Sequence, residues 1–368
     1  MKVLHILYSG LGGSSSVVFS LLKENKKNFL IKQNILFTGN YLFKDYKYKT
    51  KNTNNNYFYI KTKKFFSWLS WFKTYFFLCR EKPDLIFLHN FQFVPLLFYK
   101  FFFSKKIIFV DHQSEHFLKS RSLTTSFFSL IFFDCVIFVN KKKSLKFKKK
   151  FSFFKKKIHN ISNSVDVNFF KKYKNKKNRN PFIIGMAARL DNSKKHELII
   201  RTLNHQKLKS LNIFFSIAGD GENKSELKEI IKYEGLSNRV IFEGSLSENK
   251  IKLWYEKLNL YVHATNGEGM SISILEAMSM KIPVIGSDVV GVNNLLDVKP
   301  NTGMLFKNSN NDLADKIEYF VKLNENKKSL IIDNQRNFVT NNYSSLIMFE
   351  NYKKLIIKIL PKLNHRDL

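Results

Sequence analysis

The sequence predicts an α/β chain built as two parallel-sheet domains, and three observations carry that expectation. Short apolar runs alternate with charged or amphipathic stretches through both halves of the chain. Several of these runs end in glycine-containing turns where a helix pattern begins, as at Gly10-Leu11-Gly12-Gly13, Gly219-Asp220-Gly221 and Gly267-Glu268-Gly269. The length of 368 residues suits two cores better than one, and an apolar content of 44% is ordinary for a globular protein.

In the first half, Val3 to Tyr8 reads as a buried strand, followed by the glycine loop and a helix from about Ser15 to Lys23. Glycine there lets backbone approach a ligand closely, though a plain tight turn explains the same residues. Ile31 to Thr38 suggests a second strand. Lys44 to Asn56 is polar and repetitive and reads as a loop. Phe65 to Arg80 fits a helix with an aromatic face, and Pro83 to His89 and Lys106 to Asp111 are further strands. His112 follows the last of these, where strand ends face a ligand crevice. His116, four residues on, makes a possible metal pair, but a third ligand is not evident, so no metal is expected.

Asp134 to Asn140 is the next strand. After it comes a lysine-rich segment, 141–157, with Phe147, Phe151 and Phe154 at i, i+4 and i+7. One aromatic face and an otherwise cationic surface allow either docking on the core or lying on an anionic membrane. Lys171 to Asn180, nearly devoid of apolar residues, reads as an interdomain linker.

The second half opens on the buried run Phe182 to Ala187 and then Arg189 and Lys194 around a turn. A strand end followed by a guanidinium fork and an ammonium suits a diphosphate. The run from Phe214 ends at the Gly219 turn, a helix extends to about Tyr233, and Val240 to Gly244 is another strand, with a helix over Glu248 to Lys257. Leu258 to His263 then leads through a polar loop into a helix from about Ser271 to Lys281 and the strand Pro283 to Ile285. Backbone N–H groups at Gly269, Met270 and Ser271, at a helix N-terminus, would favour an anion. Glu268 and Glu276 flank that turn as fixed acceptors for hydroxyl groups.

The Glu268-x7-Glu276 spacing, with Gly269, Leu275, Ala277, Met278 and Pro283-Val284-Ile285 around it, resembles the signature of retaining GT-B glycosyltransferases, most closely glycosyltransferase family 4 (glycosyl transferases group 1). The likeness covers nearly the whole chain and is strongest from about 183 to 306. It implies two Rossmann-like domains facing a central cleft: an acceptor domain over 1–170, joined by a crossing helix at about 346–368, and a nucleotide-sugar domain over 171–345. It further implies Arg189 and Lys194 on the donor diphosphate, Glu276 on the ribose, and Glu268 with Gly269, Met270 and Ser271 on the sugar. His112 would lie under the donor sugar, and Gly12, Gly13 and Gly219 would line the site. His112 and Glu268 are then the catalytic pair. No metal or cofactor is implied; the nucleotide-sugar is a substrate. Three positions depart from the family pattern: Ser164 and Lys195 each stand where glycine is usual, and Asn294 where glutamate is.

Charge bears on partners. Lys and Arg number 62 against 29 Asp and Glu, a net +33, which attracts polyanions. Part of this reflects a Lys-, Phe-, Asn- and Ile-rich composition of the kind A/T-rich coding produces. An anionic membrane surface and a glycan or lipid-linked acceptor are the expected partners, at the inner face of the cell membrane. Nucleic acid is the rival, without a recognised binding motif to support it. A sugar-nucleotide epimerase or phosphorylase on the same fold is the other alternative. The two cysteines lack metal or disulfide spacing, and neither a signal peptide nor a membrane-spanning run is read from the sequence.

Overall fold

The computed structural model describes residues 1–10, 12–28, 31–53, 55–62, 68–90, 92–112, 121–171, 181–298 and 302–361. The chain divides into two compact units. Met1–Gln113, Phe117–Ser164 and Ser345–Leu368 form the first, and Val165–Ser344 lies in the second.

The first unit is a seven-stranded parallel sheet of β1 (Lys2–Tyr8), β2 (Lys32–Gly39), β3 (Tyr57–Lys61), β4 (Leu85–Leu88), β5 (Lys106–Asp111), β6 (Cys135–Phe138) and β7 (Ile158–Asn160), in the order β3-β2-β1-β4-β5-β6-β7. Every neighbouring pair is parallel. The central strands are buried almost without a break, as a sheet covered on both faces requires. The terminal helix Ser345–Ile359 packs on this sheet: Tyr352 meets Phe87 edge-on with ring centres 5.5 Å apart, and Ser345 Oγ donates to Glu24 Oε1 at 2.9 Å.

The second unit is a six-stranded parallel sheet of β8 (Phe182–Ala187), β9 (Ile213–Ala218), β10 (Val240–Gly244), β11 (Leu260–His263), β12 (Val284–Ser287) and β13 (Met304–Phe306), in the order β10-β9-β8-β11-β12-β13. It begins at Val165, ahead of the expected start at 171, because Val165, Val167 and Phe170 are buried in the core that holds Trp254, Tyr255, Leu275 and Met278. Most of the expected linker, residues 172–180, lies outside the described residues.

The structure corrects several expectations. Lys44–Thr53 is a helix, not a loop. Tyr46 anchors it, its ring stacked on Phe37 at 4.9 Å, and Thr50 one turn later donates to the Tyr46 carbonyl at 2.9 Å. Two buried residues at i and i+4 hold a helix whose other positions are mostly lysine. The short strands β3 and β7 complete the sheet edges and were not expected. The aromatic helix runs over Trp68–Glu81, with 63–67 outside the described residues.

The lysine-rich segment is two pieces, a helix Lys141–Lys150 and a 3₁₀ turn Ser152–Lys157. Asn140 caps the helix by accepting the Lys143 N–H at 3.0 Å. Phe147 is buried, and Phe151 and Phe154 pack on Phe127 with ring centres 5.0 and 6.5 Å away. The aromatic face therefore docks on the core. One lysine of the run is not surface charge at all: Lys143 is buried and its Nζ sits 2.8 Å from Asp111 Oδ2. Among the described residues no helix is long and apolar enough to cross a membrane.

Candidate functional site

Strand order places the chemistry. In the second sheet the chain enters at β8, builds β9 and β10 on one side, then returns to build β11, β12 and β13 on the other. The order reverses between β8 and β11, and the loops leaving their carboxyl ends diverge there, which is where an open α/β sheet binds ligands. Arg189 and Lys194 follow β8; Glu268 follows β11.

Backbone contacts zip these two loops together. Lys195 N–H donates to the Ala264 carbonyl at 3.0 Å, Asn266 N–H to the Ser193 carbonyl at 2.9 Å, and Thr265 Oγ1 to the same carbonyl at 3.1 Å. The result brings Lys194 into an ion pair with Glu268 Oε1, both side chains largely buried. His263, the last residue of β11, approaches the same oxygen through Nε2 at 2.9 Å. Tyr261 lies 3.2 Å from His263 Nδ1 through its hydroxyl, so the chain Tyr261–His263–Glu268–Lys194 runs unbroken from the sheet into the loop.

Electrostatics follow from those contacts. Burial opposes the Glu268 charge, yet the Lys194 ammonium and the His263 N–H outweigh it and hold the carboxyl at about 2. Burial pushes the His263 imidazole below its ordinary value despite the carboxylate beside it, so near neutral pH His263 donates as a neutral ring. A charged carboxylate fixed by two donors is an acceptor with little freedom to turn.

The rest of the predicted set is placed as follows. Ser271 is the N-cap of the helix Ile272–Ser279, its hydroxyl accepting the Ile274 N–H at 3.4 Å. Glu276 lies one turn in, and Tyr255 donates to its Oε2 at 2.9 Å. Gly269 is buried, and Met270 packs half-buried against the core. Arg189 is 74% exposed and pairs at 3.4 Å with Asp191, whose carbonyl also accepts the Lys194 N–H at 3.0 Å. Gly219 has φ +150°, and a Cβ there would stand 1.9 Å from the Ala188 carbonyl oxygen, so glycine lets the end of β9 close on the end of β8. Gly291 plays the same part for the β11 loop: at φ +93° its Cβ would meet the Glu268 carbonyl oxygen at 2.1 Å. Asn294 is half-buried in the short helix Asn293–Leu296 just beyond it.

His112, Gly12 and Gly13 belong to the first unit. Gly13 starts the helix Gly13–Asn28, and Gly12 stands in open space with nothing within 4 Å of a built Cβ. His112 follows β5, and its Nε2 lies 2.9 Å from His89 Nδ1. Burial lowers its pKa to about 4, with Asp111 acting against that shift. Asp111 itself is held by Lys143 and by Ser126 Oγ at 2.6 Å. His116 lies outside the described residues. Among the described residues no group of three His, Cys, Asp or Glu is arranged to hold a metal ion.

Sequence reasoning missed His263, Tyr261 and Tyr255. His263 had a usable signal, since it ends a strand beside the loop that carries Glu268. The tyrosines had none, because a tyrosine in an apolar run reads as core.

Comparison with known proteins bears on the family and the fold. Residues 167–338 match the family described as Glycosyl transferases group 1. Protein CapJ of Staphylococcus aureus is 28% identical over 208 residues, 55% of this chain and 52% of that protein. A poly(ribitol-phosphate) alpha-N-acetylglucosaminyltransferase of Staphylococcus aureus (strain COL) is 31% identical over 163 residues, 44% of this chain and 31% of that protein. The chain thus spans about half the length of the first of these relatives and less of the second. Among solved structures, Anabaena HepE in complex with UDP and glucose superposes with a TM-score of 0.79 at 18% identity, covering 97% of this chain and 100% of that one. The two parallel sheets are those of the GT-B fold, and the match to Glycosyl transferases group 1 falls within the second unit.

Proposed function

We propose that the protein is a retaining glycosyltransferase of the family 4 type. It moves a hexosyl-type sugar from a nucleotide-sugar to a glycan or lipid-linked acceptor in the synthesis of a cell-surface polysaccharide or lipopolysaccharide. The observation that carries this reading is the Lys194–Glu268–His263 cluster at the switch point between β8 and β11, one short loop away from Glu276. The names of the relatives, a glycosyltransferase acting on a polymer and a protein crystallised with UDP and glucose, support a nucleotide-sugar donor.

In this reading Arg189 and Lys194 hold the diphosphate. Arg189 is exposed and only loosely paired, which leaves its planar fork available to phosphate oxygens. Lys194 neutralises Glu268 before the donor arrives and shares its charge with the diphosphate afterwards. Glu276 takes ribose hydroxyls, and Glu268 with the Gly269–Ser271 backbone takes sugar hydroxyls. Gly219 lines the donor site, and the family resemblance alone assigns Gly12, Gly13 and His112 of the first unit to the sugar. Catalysis then comes from orienting the sugar and stabilising the charge that grows on the departing diphosphate. Cationic side chains do what a metal ion does elsewhere, so transfer survives EDTA. Transfer that disappears with EDTA and returns with a divalent ion would contradict this assignment.

The same reading places the protein on the inner face of a membrane, and the exposed aromatic residues of the first unit support it. The helix Trp68–Glu81 presents Trp68, Phe72 and Phe76 to solvent at i, i+4 and i+8. It packs against the helix Phe93–Phe103, which exposes Phe98, Phe101 and Phe102. Aromatic residues on a strongly cationic protein suit an anionic bilayer, where each nearby lysine contributes about 1 kcal/mol. Sedimentation with phosphatidylglycerol vesicles tests this. Replacing Trp68, Phe72 and Phe76 by Ser should reduce binding at all salt concentrations, while changing Lys148, Lys149 and Lys150 to Gln should reduce it at low salt only. Binding that ignores both sets of changes would remove the membrane from the account.

A further inference from the structure

Four polar side chains cross the first sheet in single file. Gln33 on β2, His5 on β1, His89 just past β4 and His112 just past β5 occupy four neighbouring strands. Gln33 Oε1 lies 3.0 Å from His5 Nε2, His5 Nδ1 lies 3.2 Å from His89 Nε2, and His89 Nδ1 lies 2.9 Å from His112 Nε2. Gln33, His5 and His89 are buried, and Phe87 stacks on His5 with ring centres 4.9 Å apart and planes 9° from parallel. An apolar sheet has no packing reason to set two histidines in contact across neighbouring strands.

Counting protons along this file gives it a direction. A neutral imidazole offers one N–H and one lone pair. The Gln33 carbonyl oxygen only accepts, so His5 donates from Nε2 and accepts at Nδ1. His89 must then donate from Nε2 and accept at Nδ1. His112 in turn donates from Nε2, which leaves its Nδ1 unprotonated. A protonated ring in the middle would set N–H against N–H, and burial disfavours that charge: it lowers His5 and His112 to about 4 and His89 well below its ordinary value.

We infer that Gln33, His5 and His89 are positioning residues that lock His112 in its Nε2–H tautomer, so that Nδ1 presents a lone pair to a hydroxyl of the bound sugar. The lock itself is a property of the free protein; its purpose rests on the glycosyltransferase reading of His112.

The test is nitrogen NMR of the full chain labelled with ¹⁵N in the histidine rings, near neutral pH and without substrate. The His112 signals are assigned by their loss in His112→Gln. The lock requires a protonated Nε2 and a bare Nδ1 at His112. Gln33→Met removes the acceptor and should mix the two tautomers three strands away. Gln33→Glu, whose carboxylate can only accept, should restore the single form. In a transfer assay Gln33→Met should lower kcat roughly two- to tenfold with little change in donor KM, the scale of one hydrogen bond, and Gln33→Glu should recover it. An Nδ1–H tautomer at His112 in the unaltered protein, or a tautomer indifferent to Gln33→Met, would overturn the lock. If Gln33→Met does not fold, the spectrum of the unaltered protein decides alone. A failed lock leaves the transferase reading intact, whereas correct tautomers without any sugar transfer would sink that reading and spare the lock.

Discussion

Glu268 accepts from two donors at once, and its neighbours separate two jobs. Lys194→Ala removes the ammonium that both neutralises Glu268 and faces the proposed diphosphate. Nucleoside diphosphate affinity should fall by about 1.5–3 kcal/mol, the range for a charge-assisted contact, and calorimetric titration reads it. Glu268→Gln keeps the shape and loses the charge, so turnover should fall more than donor affinity. Loss of donor affinity with turnover unchanged would assign Glu268 to ground-state binding instead.

Buried imidazoles also set a pH response. His5, His112 and His196 have pKa values lowered to about 4 from an ordinary 6.5, chiefly by burial. Between those values the unfolded chain binds more protons than the folded one. Stability is therefore full above about pH 6.5 and falls as the pH drops toward 4, by up to about 1.4 kcal/mol per pH unit for each histidine. Glu268, held at about 2, adds a second loss that begins below its ordinary 4.5. Urea unfolding at pH 7.5, 6 and 5 should show this decline; a flat profile would mean that the histidines are solvated.

At the scale of elements, glycines decide how closely strand ends approach. Gly219→Ala forces a side chain into a left-handed backbone and against the Ala188 carbonyl. It should cost about 1–3 kcal/mol of stability and weaken donor binding by parting β8 from β9. Thermal unfolding together with nucleotide titration checks both effects. The strands that carry the site were legible in the sequence, because parallel strands buried on both faces read as continuous apolar runs. The helix Lys44–Thr53 was not, since its buried face is marked by Tyr46 and Thr50 in a stretch dominated by lysine. Nor was the fate of Lys143, which reads as one charge in a run until Asp111 is seen beside it. Glu268 and Lys194 are 74 residues apart, and each is recognisable alone; their ion pair depends on how two loops zip, which spacing does not encode.

At the scale of the whole molecule, the second unit is the proposed nucleotide-sugar domain, and its Lys194–Glu268 pair is in place without the donor. Binding of the donor must then stabilise the fold. The measurement that tests this most directly is thermal unfolding of the full chain against UDP-, GDP- and ADP-sugars, with Lys194→Ala as the control. One of these donors, at about 100 times its dissociation constant, should add about 2.7 kcal/mol of stability, and Lys194→Ala should lose most of that gain at the same concentration. No stabilisation by any nucleotide-sugar, alongside salt-sensitive binding of random DNA, would contradict the account and leave the cationic surface as the functional one.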